Sequence, residues 1–194
     1  GSGGTSSGWR FDDFNFDVPA RVRRAPSFTG EKNQFLSEPD LYLNTLGIPN
    51  MHPDVQAAFR EAVKCFRGEL FTASVAMLGK ASEGAWLELG AALLNAHPGS
   101  DFNKQRDILE DPTVGTGKKI DAVLAIFSRQ DIFRPVSNAC GVRPQALRPA
   151  VVWSDAVRDS RNTIHFGVTP DTPNTYEKVA VLLIGAVPNI RVLY

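Results

Sequence analysis

The chain is poor in several kinds of residue on which large classes of protein depend. Its 194 residues include only two cysteines, Cys65 and Cys140, far apart and in no metal-binding spacing. Two such thiols are too few for a disulfide framework and suit a reduced, cytoplasmic setting, although one bridge between them is still compatible with the count. Long apolar runs are missing as well. The longest, Val179 to Val187, is about half of the ~20 residues that a membrane-spanning helix needs, so no membrane role is expected. Net charge is absent: 21 Lys and Arg stand against 21 Asp and Glu. No global field recruits polyanions, and a nucleic-acid site has to be assembled locally. From Gly141 onward the balance is weakly basic, with six Arg or Lys (Arg143, Arg148, Arg158, Arg161, Lys178, Arg191) against four acids (Asp155, Asp159, Asp171, Glu177). No segment alternates apolar and polar residues over the length of a strand, which leaves β-structure a minor role at most.

What is present is a 43% hydrophobic complement, enough for the core of one domain. Residues 1–8 (Gly-Ser-Gly-Gly-Thr-Ser-Ser-Gly) lack an apolar core and read as a tag or linker, not a signal peptide. Residues 9–50 are rich in Pro, Asn, Phe and Asp with little periodicity, and are expected to form an extended N-terminal arm anchored by Trp9, Phe11, Phe14 and Phe16. The run Arg21, Arg23, Arg24 follows Asp12, Asp13 and Asp17, so a self-neutralised, solvated loop accounts for it.

Residues 51–194 carry helical signals. His52-Pro53-Asp54 starts a helix whose apolar residues Val55, Phe59, Val63 and Phe66 recur at helical spacing until Gly68. A longer helix runs from about Phe71 to Ala96, apolar or small on so many sides that it is expected to be central; Glu83 is its one awkward member. His97-Pro98-Gly99 ends it, and residues 98–117 read as a polar loop. Gly115-Thr116-Gly117-Lys118-Lys119 resembles half of a phosphate-binding loop, but the first glycine of that pattern would fall on Pro112 and no apolar strand precedes it, so no nucleotide cofactor is expected. Ile120, Val123, Leu124 and Phe127 mark a third helix. After a loop through Pro135 and Cys140-Gly141, a fourth begins near Pro144. Asn174 with Glu177 suggests a capping box opening a fifth, which Pro188 breaks before a short tail from Ile190 to Tyr194. The expectation is an all-α bundle of four to five helices.

The end of the fourth helix concentrates the polar chemistry: Arg158-Asp159-Ser160-Arg161-Asn162-Thr163-Ile164-His165. In a continuous helix Arg158, Asn162 and His165 stand at i, i+4 and i+7 on one face, with Asp155 a turn earlier and Arg161 beside the stripe. Histidine can move a proton near neutral pH, arginine can hold a phosphate through its planar fork, and Asn162 can orient either. Arg158 and His165 would lie roughly 10 Å apart along the axis, far for one pair to grip one phosphate, so two copies meeting across a dimer groove are expected. The bland alternative is a solvated helix end, where Arg, Asn and His are all favoured.

Arg158-Asp159, five further residues and His165 match the signature of the HEPN superfamily: Arg, then four to six residues of which the first is commonly Asn, Asp or His, then His. The stretches Asp54 to Ala62 and Ala76 to Glu83 also resemble this superfamily, especially its uncharacterised group beside restriction and defence genes. The resemblance spans about residues 50–187. It implies a HEPN-like bundle and a metal-independent endoribonuclease in a dimer cleft, a toxin or defence effector with RNA as substrate and an antitoxin or defence protein as possible partner. It assigns Arg158 and His165 as the catalytic pair and Asp159 as the accessory polar residue; Asn162 and Arg161 are expected to support them, with no metal or cofactor. Some HEPN domains instead bind nucleotides or serve as assembly modules, and a non-catalytic module is the competing expectation.

Overall fold

The computed structural model describes residues 35–36, 38–165 and 172–194; the expected anchors Trp9 to Phe16 and the cluster Arg21 to Arg24 lie outside the described residues. Among the described residues all regular structure is helical. The elements are α1 (Pro39–Leu46), α2 (Pro53–Arg67), α3 (Phe71–Ala96), α4 (Asn103–Glu110), α5 (Thr116–Phe127), α6 (Gln130–Cys140), α7 (Arg148–Asn162) and α8 (Tyr176–Arg191), with 3-10 turns at Ser100–Phe102 and Pro144–Leu147. The chain folds as an all-α bundle, and no helix among the described residues is long and apolar enough to cross a membrane.

The start of α2 follows its local chemistry. His52 Nδ1 accepts from the Asp54 backbone N–H at 3.2 Å, Pro53 occupies the first turn and Asp54 complements the positive helix end. His52 is thus a helix-start residue. Val55, Phe59, Val63 and Phe66 are buried as their spacing requires, against α3. A 26-residue helix spans about 39 Å at the standard rise, and α3 touches α2, α4, α5, α7 and α8. Its buried Val75, Leu78, Ala81, Ala85, Trp86 and Leu93 form the axis of the core. Full burial of a side chain as large as Trp86 or Phe59 contributes on the order of 2–3 kcal/mol.

All five expected helices are present, and three shorter ones join them. The segment 39–46, expected to be extended, is helical: Pro39 opens it, Gly47 closes it at φ 65°, and Tyr42 and Leu46 are fully buried. Its stability comes from long-range partners, since the Tyr42 hydroxyl donates to the Leu183 carbonyl at 2.8 Å and Arg191 Nε to the Leu46 carbonyl at 2.9 Å. Within the expected loop 98–117, α4 forms with Leu109 packed against the core, after Phe102 buries beside Phe133 of α6. Helix α6 runs through Pro135, which is solvent-exposed, so the carbonyl of Asp131 that loses its partner can meet water.

Pro188 likewise fails to end α8, which continues to Arg191. The carbonyl it leaves without a partner belongs to Ile184, half-exposed to solvent, and Asn189 Nδ2 donates to the neighbouring Gly185 carbonyl at 2.8 Å. The cap of α8 is Thr175, whose Oγ1 accepts from the Lys178 N–H, while Asn174 turns to the end of α7.

Candidate functional site

The register of α7 against α3 is set by a small buried polar network. Ser154 Oγ lies 2.9 Å from Trp86 Nε1, which donates to it, and 3.0 Å from Ser82 Oγ. On the other side Trp153 Nε1 donates to the Leu182 carbonyl of α8 at 2.9 Å. With Ala150, Val157 and Ser160 also inward, Asp155, Arg158 and Asp159 are left on the flank of α7 with partial access to solvent.

Arg158 is held by its own helix. Its Nη1 is 2.9 Å from Asp155 Oδ1 and its Nη2 3.7 Å from Asp159 Oδ1, with the side chain 35% exposed. The guanidinium also crosses the start of α5: a Cβ on Gly117 would come within 2.8 Å of Arg158 Nη1. The Gly115 to Lys119 stretch, set aside above as a nucleotide loop, thus opens a helix beside Arg158.

Arg161 turns to α3. Its stem lies on Gly79, where a Cβ would meet Cδ at 2.8 Å, and its Nη1 is 3.7 Å from Glu83 Oε2, one turn further along α3. Glu83 also accepts from Thr116 Oγ1 at 3.0 Å and faces Lys119 Nζ at 3.8 Å. One carboxylate therefore joins α3, α5 and α7, and the awkward acid of the long helix proves to be a partly buried group that accepts one hydrogen bond, from Thr116, and pairs with two cations, Lys119 and Arg161. Lys119 is the most enclosed of them, its side chain only 8% exposed. Lys119, Arg158 and Arg161 face Glu83, Asp155 and Asp159 in these ion pairs, so the three cations are matched by three carboxylates.

The expected continuous stripe ends early. Helix α7 stops at Asn162, and the Ile164 and His165 N–H groups turn to the carbonyls three residues back, those of Arg161 and Asn162. The Ser160 carbonyl is taken by Thr163 Oγ1 at 2.8 Å and by Asn174 Nδ2 at 3.3 Å, which closes the helix at this point. His165 consequently sits in a bend beyond the helix, exposed, and not at i+7 of a helical face. Among the described residues its imidazole has no hydrogen-bond partner. Asn162 is half-buried at the last helical position.

These contacts also bear on the helix-end alternative. The terminal carbonyls of α7 are satisfied by backbone N–H groups, Thr163 and Asn174. The side chains of Arg158, Arg161 and Asn162 take no part in that closure. The structure therefore brings Arg158, Asp159 and Arg161 together with Glu83, Thr116 and Lys119, and leaves His165 at the margin. The sequence flagged Glu83 by its apolar surroundings, and Thr116 and Lys119 only as part of the stretch that resembles half of a phosphate-binding loop. No family model, curated protein or solved structure matches the chain.

Proposed function

We propose that the chain is a HEPN-type endoribonuclease that needs no metal and works as a homodimer. His165 manages the 2'-hydroxyl proton, and Arg158 holds the phosphate while negative charge develops on it. The observation that carries this reading is that the polar side chains at the end of α7 are not consumed in closing the helix, which Thr163 and Asn174 do instead. Arg158 keeps a third of its surface and is oriented by Asp155 at 2.9 Å, while Asp159, at 3.7 Å and largely exposed, is the carboxylate an incoming phosphate displaces most easily.

Because the helix ends between them, Arg158 and His165 of one chain belong to different local elements, and a second copy would bring a complementary pair across a groove. The exposed apolar residues Val152 on α7 and Val181 and Ile184 on α8 supply surface for that contact. The resemblance noted above adds the role of toxin or defence effector, with RNA as substrate and an antitoxin or defence protein as partner.

A non-catalytic HEPN-like module that binds a nucleotide or a partner protein is favoured by one observation, the matching of the three cations by three carboxylates within a single chain. Incubation of RNA with purified protein in EDTA separates the two. Cleavage by the wild type that falls about 100-fold or more in His165→Ala, and disappears in the Arg158→Ala, His165→Ala double variant, supports the nuclease. RNA left equally intact by wild type and double variant refutes it, and a strict monomer by sedimentation at high concentration removes the composite site.

A further inference from the structure

A cleft of about 390 Å³ opens along α6 and the turn that follows it, and shares no lining residue with the end of α7. Its formation is local. Helix α6 closes on Gly141 at φ 70°, a left-handed conformation that suits glycine, and Ser137 Oγ donates to the Val142 carbonyl at 2.6 Å, fastening the returning chain to the helix. Arg143, the next residue, lines the cleft together with Arg134 of α6. Gln130, Asn138, Gln145 and Ser128 complete the polar lining.

The charge of this cleft is of one sign. No carboxylate lines it. From Ile132 to Ser154 the chain contains Arg134, Arg143 and Arg148 and no acid. Asp131, the nearest acid in sequence, is held by Arg129, whose Nε and Nη2 donate to it at 2.9 and 2.6 Å. Among the described residues neither Arg134 nor Arg143 has an ion-pair partner, whereas Arg60, Arg67, Arg129, Arg158 and Arg161 each have at least one.

We propose that this cleft is a binding site for the phosphate group of a small phosphomonoester. Two guanidinium forks with amide and hydroxyl donors in the same lining match a dianion with several acceptor oxygens, where a monocarboxylate would leave one fork unpaired. The volume falls within the range of small-molecule sites, ~300–1,000 Å³, and so accommodates a group attached to the phosphate.

Calorimetric titration of the full chain with adenosine 5'-monophosphate, inorganic phosphate and adenosine tests this. Saturable binding of the monophosphate is expected, weakened about tenfold or more by Arg134→Gln and again by Arg143→Gln. It should be unchanged by Arg67→Gln, which lies outside the cleft, with helical circular dichroism and melting retained throughout. Inorganic phosphate should compete and adenosine should not. The proposal is overturned if neither phosphate compound binds at millimolar concentration, if the double Arg134→Gln, Arg143→Gln variant binds as well as the wild type, or if adenosine binds as tightly as its monophosphate. Because the readout is binding and not RNA cleavage, its outcome is independent of the nuclease reading.

Discussion

Removing the carboxylate of Glu83 should destabilise the protein, and removing Lys119 as well should restore much of the loss. Glu83 Oε1 faces Lys119 Nζ at 3.8 Å, and the lysine side chain is only 8% exposed. At that separation the gross attraction is about 4 kcal/mol for an effective dielectric near ~20. Glu83 and Arg161 are 28% and 29% exposed, so water screens part of this and the arginine can find solvent. Losing one member of a fully buried pair costs roughly 3–5 kcal/mol, and partial exposure brings the expected cost of Glu83→Gln to about 2–3 kcal/mol. For a chain of this size that lowers Tm by roughly 4–12 °C. Most of the cost is the unpaired ammonium of Lys119, so Glu83→Gln with Lys119→Met, which removes both charges at similar volume, should be clearly more stable than Glu83→Gln alone. Urea denaturation of wild type, both single variants and the double variant closes the cycle. A Glu83→Gln cost under about 0.5 kcal/mol, or a double variant no better than that single, would refute the reasoning.

Gly117→Ala places a Cβ within 2.8 Å of the far end of the Arg158 side chain, which can move aside. Stability should change by less than about 1 kcal/mol, yet RNA cleavage should fall because Arg158 is displaced; unchanged cleavage would show that its position over α5 is immaterial. Ser154→Ala removes the shared partner of Trp86 Nε1 and Ser82 Oγ in the core. Two buried polar groups left unpaired should cost about 2–3 kcal/mol in a urea melt, and a loss near zero would mean that water or a rotated Ser82 takes over.

The five long helices were legible because their apolar residues recur at helical spacing and their starts carry Pro53, Asp54 and similar punctuation. Helix α1 offered Pro39 and Gly47 as its own start and stop, but only two fully buried positions, Tyr42 and Leu46, too few for a periodic pattern. Helices α4 and α6 were hidden by polar composition and by Pro135, which α6 tolerates on its exposed side, where the freed Asp131 carbonyl can meet water. The same reasoning misplaced the end of α8 at Pro188. In the site, Arg158 with Asp155 was predictable as an i, i+3 pair on one helix.

The sequence by itself determined the helical character of the chain and the concentration of polar groups from Arg158 to His165, which rest on interactions and spacing within a few residues, and the central place of Phe71–Ala96, which its apolar and small residues on many sides require. Only the tertiary structure decided that Glu83 gathers Thr116, Lys119 and Arg161, that Asn174 helps to end α7, and that His165 stands off the helix. Those outcomes depend on groups from separate helices meeting at hydrogen-bonding or ion-pairing distance, and a carboxylate encodes no preference for one distant cation over another until packing has fixed which helices touch.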